Sequence, residues 1–446
     1  MPEDHLAWRL SEVVDQLDLS AIESAGLRGE SRGRPGYSPR MMAKVLLYGY
    51  CVGVASSRRI EKATYADVAF RVLSGDQHPD HDSIASFRKT HLKALAGLFS
   101  QVLVLCQRAG LVSLEHIAID GTKIQANASK HKAMSYARMA PTERRLEAEM
   151  EALLREAERV DAEEDARYGV GRRGDELPAE LQRRSSRLAK IREAKAALEA
   201  EAREAAQARK AEVEEPLAER ARREEATGKK ARGRAPEAPD PETAQPEPKA
   251  QRNFTDPESR IMPDGGRKGS FVQGYNAQIA VDGARQIIVA TAVVQETNDK
   301  EQLAPMARKV IANVGRLANV TTADAGYFSE KAVSDEALAT THLLVPPNRI
   351  KHDELEGGNP PPVKDGDTEA ALMRLNLQLP ANRDLYKMRK AIAEPVFGQI
   401  KEIRGFRRFL LRGWEKVCAE FDLIALTHNL LKLIRYGKTP RLGWAG

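Results

Sequence analysis

The first 110 residues carry apolar positions at helical spacing. Ser38 and Pro39 predict an N-cap and a first-turn proline before the mostly apolar run MMAKVLLYGYCVGVA. A second helix is predicted from Ser57 to Leu73. A turn rich in Gly, Pro and Asp follows, and then a third helix that is capped at Asp82 or Ser83. That third stretch carries four basic or titratable side chains: Arg88, Lys89, His91 and Lys93.

The order of helix, polar turn and basic helix is that of a helix-turn-helix, which sets side chains of its second helix against DNA. Arg88 and Lys89 are therefore candidate DNA contacts. Turn-linked helices are equally ordinary in all-α domains. The pattern predicts a helical N-terminal domain and leaves its contact with DNA open.

Residues 141–227 repeat apolar side chains at alternating steps of four and three, as a helical seam does. A turn-forming segment, RYGVGRRGDELP, separates two such runs and is able to reverse the chain. The pattern predicts an antiparallel, coiled-coil-like helical hairpin, inserted as an arm rather than as a second core. Residues 228–252 are rich in Pro, Glu, Ala and Lys, cannot bury much surface, and are predicted to be a linker. The positions of the seam are Leu146, Met150, Leu153, Ala157 and Val160, then Leu181, Leu188, Ile191, Leu198, Ala202 and Ala205.

From residue 253 onward the pattern becomes that of an α/β domain. The stretch FVQGYNAQIAVDGARQIIVATAVVQ holds two β-rich runs around Asp282-Gly283, which is a strong hairpin signal. Asn298 or Asp299 then caps a predicted helix, and VTTADAGYF is a short strand that ends in a turn. Upstream, HIAIDGTKIQ alternates as a strand would. The linker is therefore predicted to return the chain to a sheet that begins at residue 116.

Length and composition narrow the class of protein. The 446 residues are enough for roughly three domains, and no apolar run reaches the roughly 20 residues that a membrane helix needs. The first residues show no basic segment followed by an apolar stretch, so we expect no secretory signal. Cys51, Cys106 and Cys418 are few and far apart, which favours a reducing cytosol and argues against a disulfide framework or a zinc site.

The charge of the chain is unevenly distributed. The net charge is +6, but residues 383–446 hold 14 Lys or Arg against 6 Asp or Glu. A basic C-terminal part favours a polyanionic partner, and nucleic acid is the obvious one in the cytosol. A solvated charged face is the alternative that composition leaves open.

Three acidic residues stand out by their context. Asp120 follows Ile117 and Ile119 at the end of a predicted strand, and Asp324 follows VTTA and precedes AGYF, again where a strand gives way to a turn. Glu394 lies in the basic helical stretch YKMRKAIAEPVFGQIKEIRGFRR. Carboxylates at the ends of adjacent strands, with a third on a packed helix, could hold two hard cations that promote displacement at a phosphodiester. An Asp at a strand end is often only a turn former, so spacing alone leaves a metal triad open.

The other candidate sites are weaker. His78 and His81 lie in a polar turn without a matching Cys or His pair, so a zinc site there is not expected. Asp299 is interpreted as a helix cap rather than a ligand, and Asp256 and Asp264 as turn residues. No phosphate-cradling glycine loop precedes a helix with Lys-Ser or Lys-Thr, so no nucleotide cofactor is expected.

At the three acidic segments the sequence resembles the DDE transposases of bacterial insertion sequences, in the branch with a Tyr-Arg-Glu-Lys signature. AIDGTKIQANAS is similar to the segment with the first Asp of that family, ADAGYFSE to the second, and EPVFGQIKEIRGFRRFLLRG to the third acid. TDPESRIM, FVQGYNAQIAVD, SSRRIEKATYADVAFRVL and HPDHDSIASFRKTH are also similar to family segments. The resemblance covers most of the chain except residues 141–250.

One spacing departs from the family signature, which has three residues between its Arg and its Glu. Here four residues separate Arg389 from Glu394, although Tyr386 keeps its relation to Arg389 and Lys401 keeps its relation to Glu394. Positions i and i+5 lie about 140° apart on a helix, whereas Lys390 lies four before Glu394 on the same face. Either a distortion at Pro395 restores Arg389, or Lys390 takes over the phosphate contact.

The resemblance implies an α/β RNase H-like catalytic core, a mixed sheet flanked by helices. An all-α N-terminal domain and the inserted helical hairpin would accompany it. The corresponding divisions are residues 1–110 for the DNA-binding domain, 111–140 for the first part of the core, 141–227 for the hairpin, 228–252 for the linker and 253–446 for the second part of the core with basic C-terminal helices.

The resemblance also implies an activity. Asp120, Asp324 and Glu394 would be catalytic and would hold two Mg²⁺ ions, with Mn²⁺ as a possible substitute. The enzyme would bind the terminal inverted repeats of its own element, cut phosphodiester bonds and join the freed 3′ ends to target DNA. It would be cytoplasmic and nucleoid-associated, and it would act as a dimer or higher oligomer on double-stranded DNA. Residues expected to contact DNA are Tyr386, Arg389, Lys390, Lys401, Arg404, Arg407, Arg408 and Arg412.

Two other classes of function remain open at the level of sequence. An RNase H-like nuclease or resolvase would cut DNA without joining it. A DNA-binding protein without catalysis would keep the three acids but not use them.

Overall fold

The computed structural model describes residues 1–26, 36–168, 179–228, 237–264, 269–348 and 368–437. The glycine-rich reversal of the predicted hairpin, the first part of the predicted linker and the proline run at 360–362 lie outside these residues. The chain divides into two compact units. The first unit contains Met1–Asn127 and Met262–Gly446, and the second contains Ala128–Ile261.

In the N-terminal part of the first unit, all the secondary structure of the described residues is helical, as the apolar spacing predicts. Ser38 caps the third helix by accepting a hydrogen bond from the Met41 N–H, and Pro39 occupies the first turn, so this predicted helix start is confirmed. The helices are α1 (Leu6–Asp15), α2 (Ser20–Gly26), α3 (Pro39–Cys51), α4 (Ser57–Ala66), α5 (Val68–Ser74), α6 (His81–Thr90) and α7 (Leu92–Arg108).

Two of the predicted helix boundaries in this region are wrong, and in both cases an aspartate is the reason. The predicted helix from Ser57 to Leu73 is interrupted at Asp67, whose carboxylate accepts hydrogen bonds from the Ala69 and Phe70 N–H groups and so starts α5. Helix α6 is capped by Asp80, through the Ser83 N–H at 2.8 Å, rather than by Asp82 or Ser83. An Asp carboxylate satisfies free N–H groups of a first helical turn, which makes it a cap even inside an apolar pattern.

The first unit also contains a six-stranded mixed sheet. Along the sheet the order is β4, β5, β1, β7, β8, and β6 pairs with β5. The pairings of β1 with β7 and of β7 with β8 are parallel, whereas β1 with β5 and β5 with β6 are antiparallel. The strands are β1 (His116–Gln125), β4 (Arg260–Pro263), β5 (Phe271–Asp282), β6 (Ile287–Val294), β7 (Val320–Ala323) and β8 (His342–Leu344).

The predicted hairpin around Asp282-Gly283 is confirmed, and it joins β5 to β6. Asp282 is fully buried, and its carboxylate accepts backbone hydrogen bonds from Ser113 at 3.1 Å, Leu114 at 2.8 Å and Ala284 at 3.0 Å. The pairing of Asp282 with Ile287 leaves a four-residue turn rather than a two-residue one. The aspartate therefore fixes both the turn and the chain segment that leads into β1.

Helices cover the sheet in the C-terminal part of the first unit. Helix α14 packs against β6, α7 and α3, and its buried face contains polar side chains, among them Glu420 and His428, as well as apolar ones. In the described part of the chain no helix is long and apolar enough to cross a membrane. The helices are α10 (Leu303–Val314), α11 (Glu330–Val333), α12 (Glu369–Gln378), α13 (Pro380–Gly398) and α14 (Trp414–Tyr436), with a π-helical turn at Gln399–Ile403.

The second unit is built from two long helices and a two-stranded sheet. Glu143 of α8 pairs with Arg192 of α9, and Glu149 pairs with Arg184, so the two helices run antiparallel. Predicted seam residues, including Leu146, Leu188, Ile191 and Leu198, are buried in the cluster between them. The side chains of Ala157 and Val160 lie outside the described residues. The elements are β2 (Ala133–Ser135), α8 (Tyr136–Tyr168), α9 (Ala179–Thr227) and β3 (Gln251–Asn253).

Candidate active site

The parallel pairing of β1 with β7 brings two of the predicted acids together. Ile119 is paired with Ala323, so Asp120 and Asp324 are the next residues on two adjacent strands. Asp120 Oδ1 accepts the Gly121 N–H at 3.0 Å, and Asp324 Oδ1 accepts the Gly326 N–H at 2.8 Å. The prediction that Asp120 ends its strand is wrong, because β1 continues to Gln125 through its pairing with β5. The parallel pairing of β1 with β7 ends at Ile119, the residue before Asp120.

The environment of Asp120 disfavours its charge. Burial raises the pKa of Asp120 to about 6; the guanidinium of Arg389 lowers the pKa, and the negative charges of Asp324 and Asp299 raise it further. Burial and the neighbouring carboxylate of Asp324 both disfavour the charged form of Asp120. A cation bound between the two carboxylates would stabilise their charged forms.

Arg389 reaches this pair of acids from α13. Its Nη1 lies 3.6 Å from Asp120 Oδ1, its guanidinium lies 5.9 Å from the centre of the Tyr386 ring, and only 8% of the residue is exposed. Its Nε has no hydrogen-bond partner among the described residues, although it is buried. Lys390 is exposed on the same helix. Of the two alternatives for the phosphate contact, Arg389 is the one that faces the acids.

Lys401 lies on the π-helical turn after α13 and also reaches β1. Its Nζ donates to Thr122 Oγ1 at 2.5 Å and to the Lys123 carbonyl at 3.0 Å. Thr122 and Asp120 are two residues apart and so share one face of the strand. Burial lowers the pKa of Lys401, and the charge of Asp120 is among the groups that raise it.

Asp299 is a functional candidate whose local sequence predicts only a helix cap. It does not cap α10, because the residue at that cap is Gln302, and neither does Asn298, whose side chain accepts from the Lys300 N–H. Instead Asp299 Oδ1 accepts from Asn276 Nδ2 at 2.6 Å and from Gln278 Nε2 at 2.7 Å. The interpretation of Asp299 as a helix cap is therefore wrong.

A buried amide network holds this carboxylate. Asn276 and Gln278 are fully buried on β5, and Gln278 Nε2 also donates to Asn276 Oδ1 at 3.0 Å. The hydroxyl of buried Tyr327 donates to Gln278 Oε1. Lys123 Nζ lies 3.7 Å from Asp299 Oδ1. The only sequence signal of this network was the alternation of polar residues in the otherwise apolar strand β5, because buried amides need partners.

Two glycines let the three aspartates approach one another. A Cβ atom on Gly121 would stand 3.0 Å from Asp299 Oδ1, and one on Gly326 would stand 3.7 Å from Asp299 Oδ2. The N–H groups of these same glycines bind Asp120 and Asp324. Asp299 therefore lies beside the backbone that holds the other two acids.

Glu394 is not brought into this cluster by any contact. It is exposed on α13, and it makes no hydrogen bond or ion pair with any residue in the described ranges. Pro395 lies inside α13, which continues to Gly398, so Arg389 and Glu394 remain on different faces. Across the described residues, no three Asp, Glu, His or Cys side chains are arranged so that together they could hold a metal ion.

Two of the arginines expected to contact DNA are used inside the protein. Arg88 is buried and donates to the Ala55 carbonyl at 3.0 Å and to the Tyr50 hydroxyl. Arg404 is buried and donates to Thr427 Oγ1 at 2.8 Å and to the Ile424 carbonyl. Their placement does not support contact with DNA, since both guanidinium groups are buried and hydrogen-bonded within the fold.

Two of the other expected contacts, Lys89 and Arg412, are exposed. Lys89 and Arg412 line one cavity of about 650 Å³ together with Lys93 and Lys416. Arg412 Nε also donates to the Asn127 carbonyl at 2.8 Å. This cavity joins the predicted DNA-binding helix to the basic C-terminal segment.

Arg407 and Arg408 are exposed as well, and each has a partner. Arg407 pairs with Glu402 at 2.5 Å, and Arg408 donates to Gln125 Oε1 at 3.2 Å. Exposed pairs of this kind are weak and exchange readily for a phosphate.

Comparison with known proteins connects both ends of the first unit to transposition. Residues 1–90 match a family described as Transposase domain (DUF772), and residues 366–434 match one described as Transposase DDE domain. No curated protein and no solved structure matches the chain. The two matches imply a transposase role, and the second suggests that the role is catalytic.

Proposed function

We propose that the chain is a metal-dependent DDE transposase that cuts at the ends of an insertion sequence and joins the freed 3′ ends to target DNA. The observation that carries the proposal is the pair of adjacent carboxylates, Asp120 and Asp324, faced by the buried guanidinium of Arg389. The carboxylate oxygens could bind a divalent cation. The Nε of Arg389, which has no hydrogen-bond partner among the described residues, could donate to a phosphodiester. An RNase H-like core is part of the proposal, and the order β6, β5, β1, β7, β8 supports it.

The donor chemistry of the site fits Mg²⁺ or Mn²⁺. Its candidate ligands are carboxylates, which hard cations prefer, and no Cys or His lies among them. Asp120, Asp324 and Glu394 would hold two such ions. When bound, the ions would supply Lewis acidity to the attacking and leaving oxygens of the phosphodiester.

The protein's own side chains would bind and orient the DNA strand. Arg389 would donate to a non-bridging phosphate oxygen through its buried Nε and through Nη1, which lies 3.6 Å from Asp120 Oδ1. Lys401 would hold a neighbouring phosphate, and Thr122 orients its ammonium group. Tyr386, half-buried beneath Arg389, would pack against the displaced strand.

The exposed basic side chains would bind DNA independently of its sequence. The cavity lined by Lys89 and Arg412 would contact the phosphate backbone, which provides affinity and salt dependence. Two element ends must be brought together for joining, so the active form would be at least a dimer on DNA.

The central test is Asp120→Asn. We expect the variant to lose Mg²⁺-dependent cleavage of element-end DNA and to keep DNA binding, because one carboxylate charge is removed without change of shape. Asp384→Asn is the matched control, since Asp384 is an exposed carboxylate on α13. Retained cleavage by Asp120→Asn would remove Asp120 from the site.

Glu394→Gln tests the third acid separately. Loss of cleavage in this variant would support a carboxylate that approaches the aspartates when metal and DNA bind. Cleavage at the wild-type rate would exclude Glu394 as a ligand while leaving Asp120 and Asp324 in place.

Joining is tested with pre-nicked element ends. A transposase converts them to joined product on a target duplex, whereas a nuclease or resolvase does not.

A further inference from the structure

A basic cavity is lined entirely by residues of the second unit. It has a volume of about 760 Å³ and is lined from both helices and from the two-stranded sheet. Its cationic residues are Lys132, Arg138, Arg183, Arg187 and Lys190, and His131 stands beside them. Among the lining residues that the structure describes there is no Asp or Glu.

No described residue neutralises these five cations. In the described part of the second unit, none of them forms an ion pair with a carboxylate. The acids of the same helices are used by other basic side chains: Glu143 and Glu147 by Arg192, and Glu149 by Arg184. The described lining of the cavity is therefore basic, although residues 141–250 as a whole contain more acidic than basic residues.

Hydrogen bonds between two segments of the second unit fix the backbone at the base of the cavity. The Phe254 N–H donates to the Lys132 carbonyl at 3.0 Å, and Asn253 Nδ2 donates to the Ser129 carbonyl at 2.8 Å. Met134 and Phe254 pack on the apolar cluster between the helices. The cations therefore stand on a preformed surface, and binding there needs little reorganisation.

The spacing of the cations on α9 matches a nucleic-acid strand. Arg183, Arg187 and Lys190 are exposed at positions i, i+4 and i+7, on one face of the helix. They span about 10 Å along the helix axis at 1.5 Å per residue. One strand of B-DNA carries about three phosphates over the same length of duplex axis, since the axial rise is about 3.4 Å per phosphate.

We propose that this cavity binds the phosphate backbone of duplex DNA, independently of its sequence. The choice of DNA rests on the proposed function, while the charge and geometry are those of any polyphosphate strand. Arginines offer bidentate donors to phosphate oxygens, and Gln182 and Ser186 on the same face add neutral donors. The second unit would thus be a DNA-gripping arm.

The test compares two triple variants of the full chain with equal charge change. Arg183→Gln, Arg187→Gln and Lys190→Gln remove the cavity cations of α9. Arg203→Gln, Arg209→Gln and Lys210→Gln remove three exposed cations farther along the same helix. Gln keeps helix propensity close to that of Arg and Lys, and circular dichroism and thermal unfolding verify that both variants fold.

Binding is measured by fluorescence anisotropy with a labelled duplex of unrelated sequence, without divalent metal, over a range of salt. Three lost phosphate contacts should reduce the slope of log K against log salt by about 2.7 and weaken binding at least tenfold at low salt. The control variant should stay within about twofold of wild type. A third variant, Arg183→Lys with Arg187→Lys, should retain most of the affinity, because it keeps the charge.

The outcomes separate the cavity from the active site. Equal losses in both triple variants, or wild-type binding by the cavity variant, would overturn the proposal. A loss seen only with element-end duplex would also overturn it, because backbone contacts carry no sequence information. If the cavity variant loses affinity while wild-type protein fails to cleave element ends, the proposed DNA binding by the cavity is supported and the proposed transposase activity is refuted.

Discussion

Replacement of Gly121 by alanine should disrupt the network that holds Asp299. The new Cβ would overlap Gln278 Nε2 and would stand 3.0 Å from Asp299 Oδ1. Gln278 is fully buried and cannot move without losing its hydrogen bonds to Asn276 Oδ1 at 3.0 Å and Asp299 Oδ1 at 2.7 Å. The strain therefore falls on the strand pairing beside the acids.

The expected loss of stability follows from these contacts. Overpacking in a tight interior costs about 1–3 kcal/mol, and a hydrogen bond to a charged group contributes about 1.5–3 kcal/mol. The free energy of unfolding should therefore fall by about 2.5–6 kcal/mol. Urea denaturation followed by circular dichroism measures it as a lower midpoint.

Gly97→Ala is the matched control, with the opposite sign. Gly97 lies inside α7, and a Cβ there would meet no atom within 4 Å. Alanine is favoured over glycine in a helix by roughly 0.5–1 kcal/mol, so this variant should be more stable than wild type. A Gly121→Ala protein that unfolds at the wild-type urea concentration would refute the close approach of β1, β5 and Asp299.

Three further predictions test the site and the core. Arg389→Ala should slow cleavage by about 100-fold and Lys390→Ala by much less, since only Arg389 faces the acids; single-turnover rates giving the opposite ranking would restore Lys390 as the phosphate contact. Asp299→Asn should lower Mg²⁺-dependent cleavage at least tenfold, whereas Glu301→Gln, an exposed acid two residues later, should not; equal rates would make Asp299 purely structural. Burial lowers the pKa of His428 to about 3 in the folded protein. Below pH 6.5 the unfolded chain therefore binds one proton more than the folded protein, and the free energy of unfolding decreases as the pH is lowered. Between pH 7 and pH 5 the wild type should lose roughly 2 kcal/mol that His428→Gln does not lose, and equal urea-midpoint shifts would contradict this.

The sequence determined those features that depend on neighbours along the chain. The hairpin at Asp282, the cap at Ser38 and the strands that carry Asp120 and Asp324 are set by local alternation and turn chemistry. The parallel partners β1 and β7 then bring these two acids side by side. In a sheet, residues at equivalent positions of adjacent strands lie side by side.

Only the tertiary structure decided which charged side chains face one another. Arg389 and Lys390 are adjacent in sequence and chemically similar, yet one is buried beside Asp120 and the other is exposed, because the packing of α13 on the sheet selects one helix face. Asp299 has the local context of a helix cap, and its true partners lie about twenty residues away on β5. Arg88 lies in a basic helix and is nevertheless buried. Sequence fixes the charge of a side chain, but burial and distance set its electrostatic role, and both depend on the packing of segments remote in the chain.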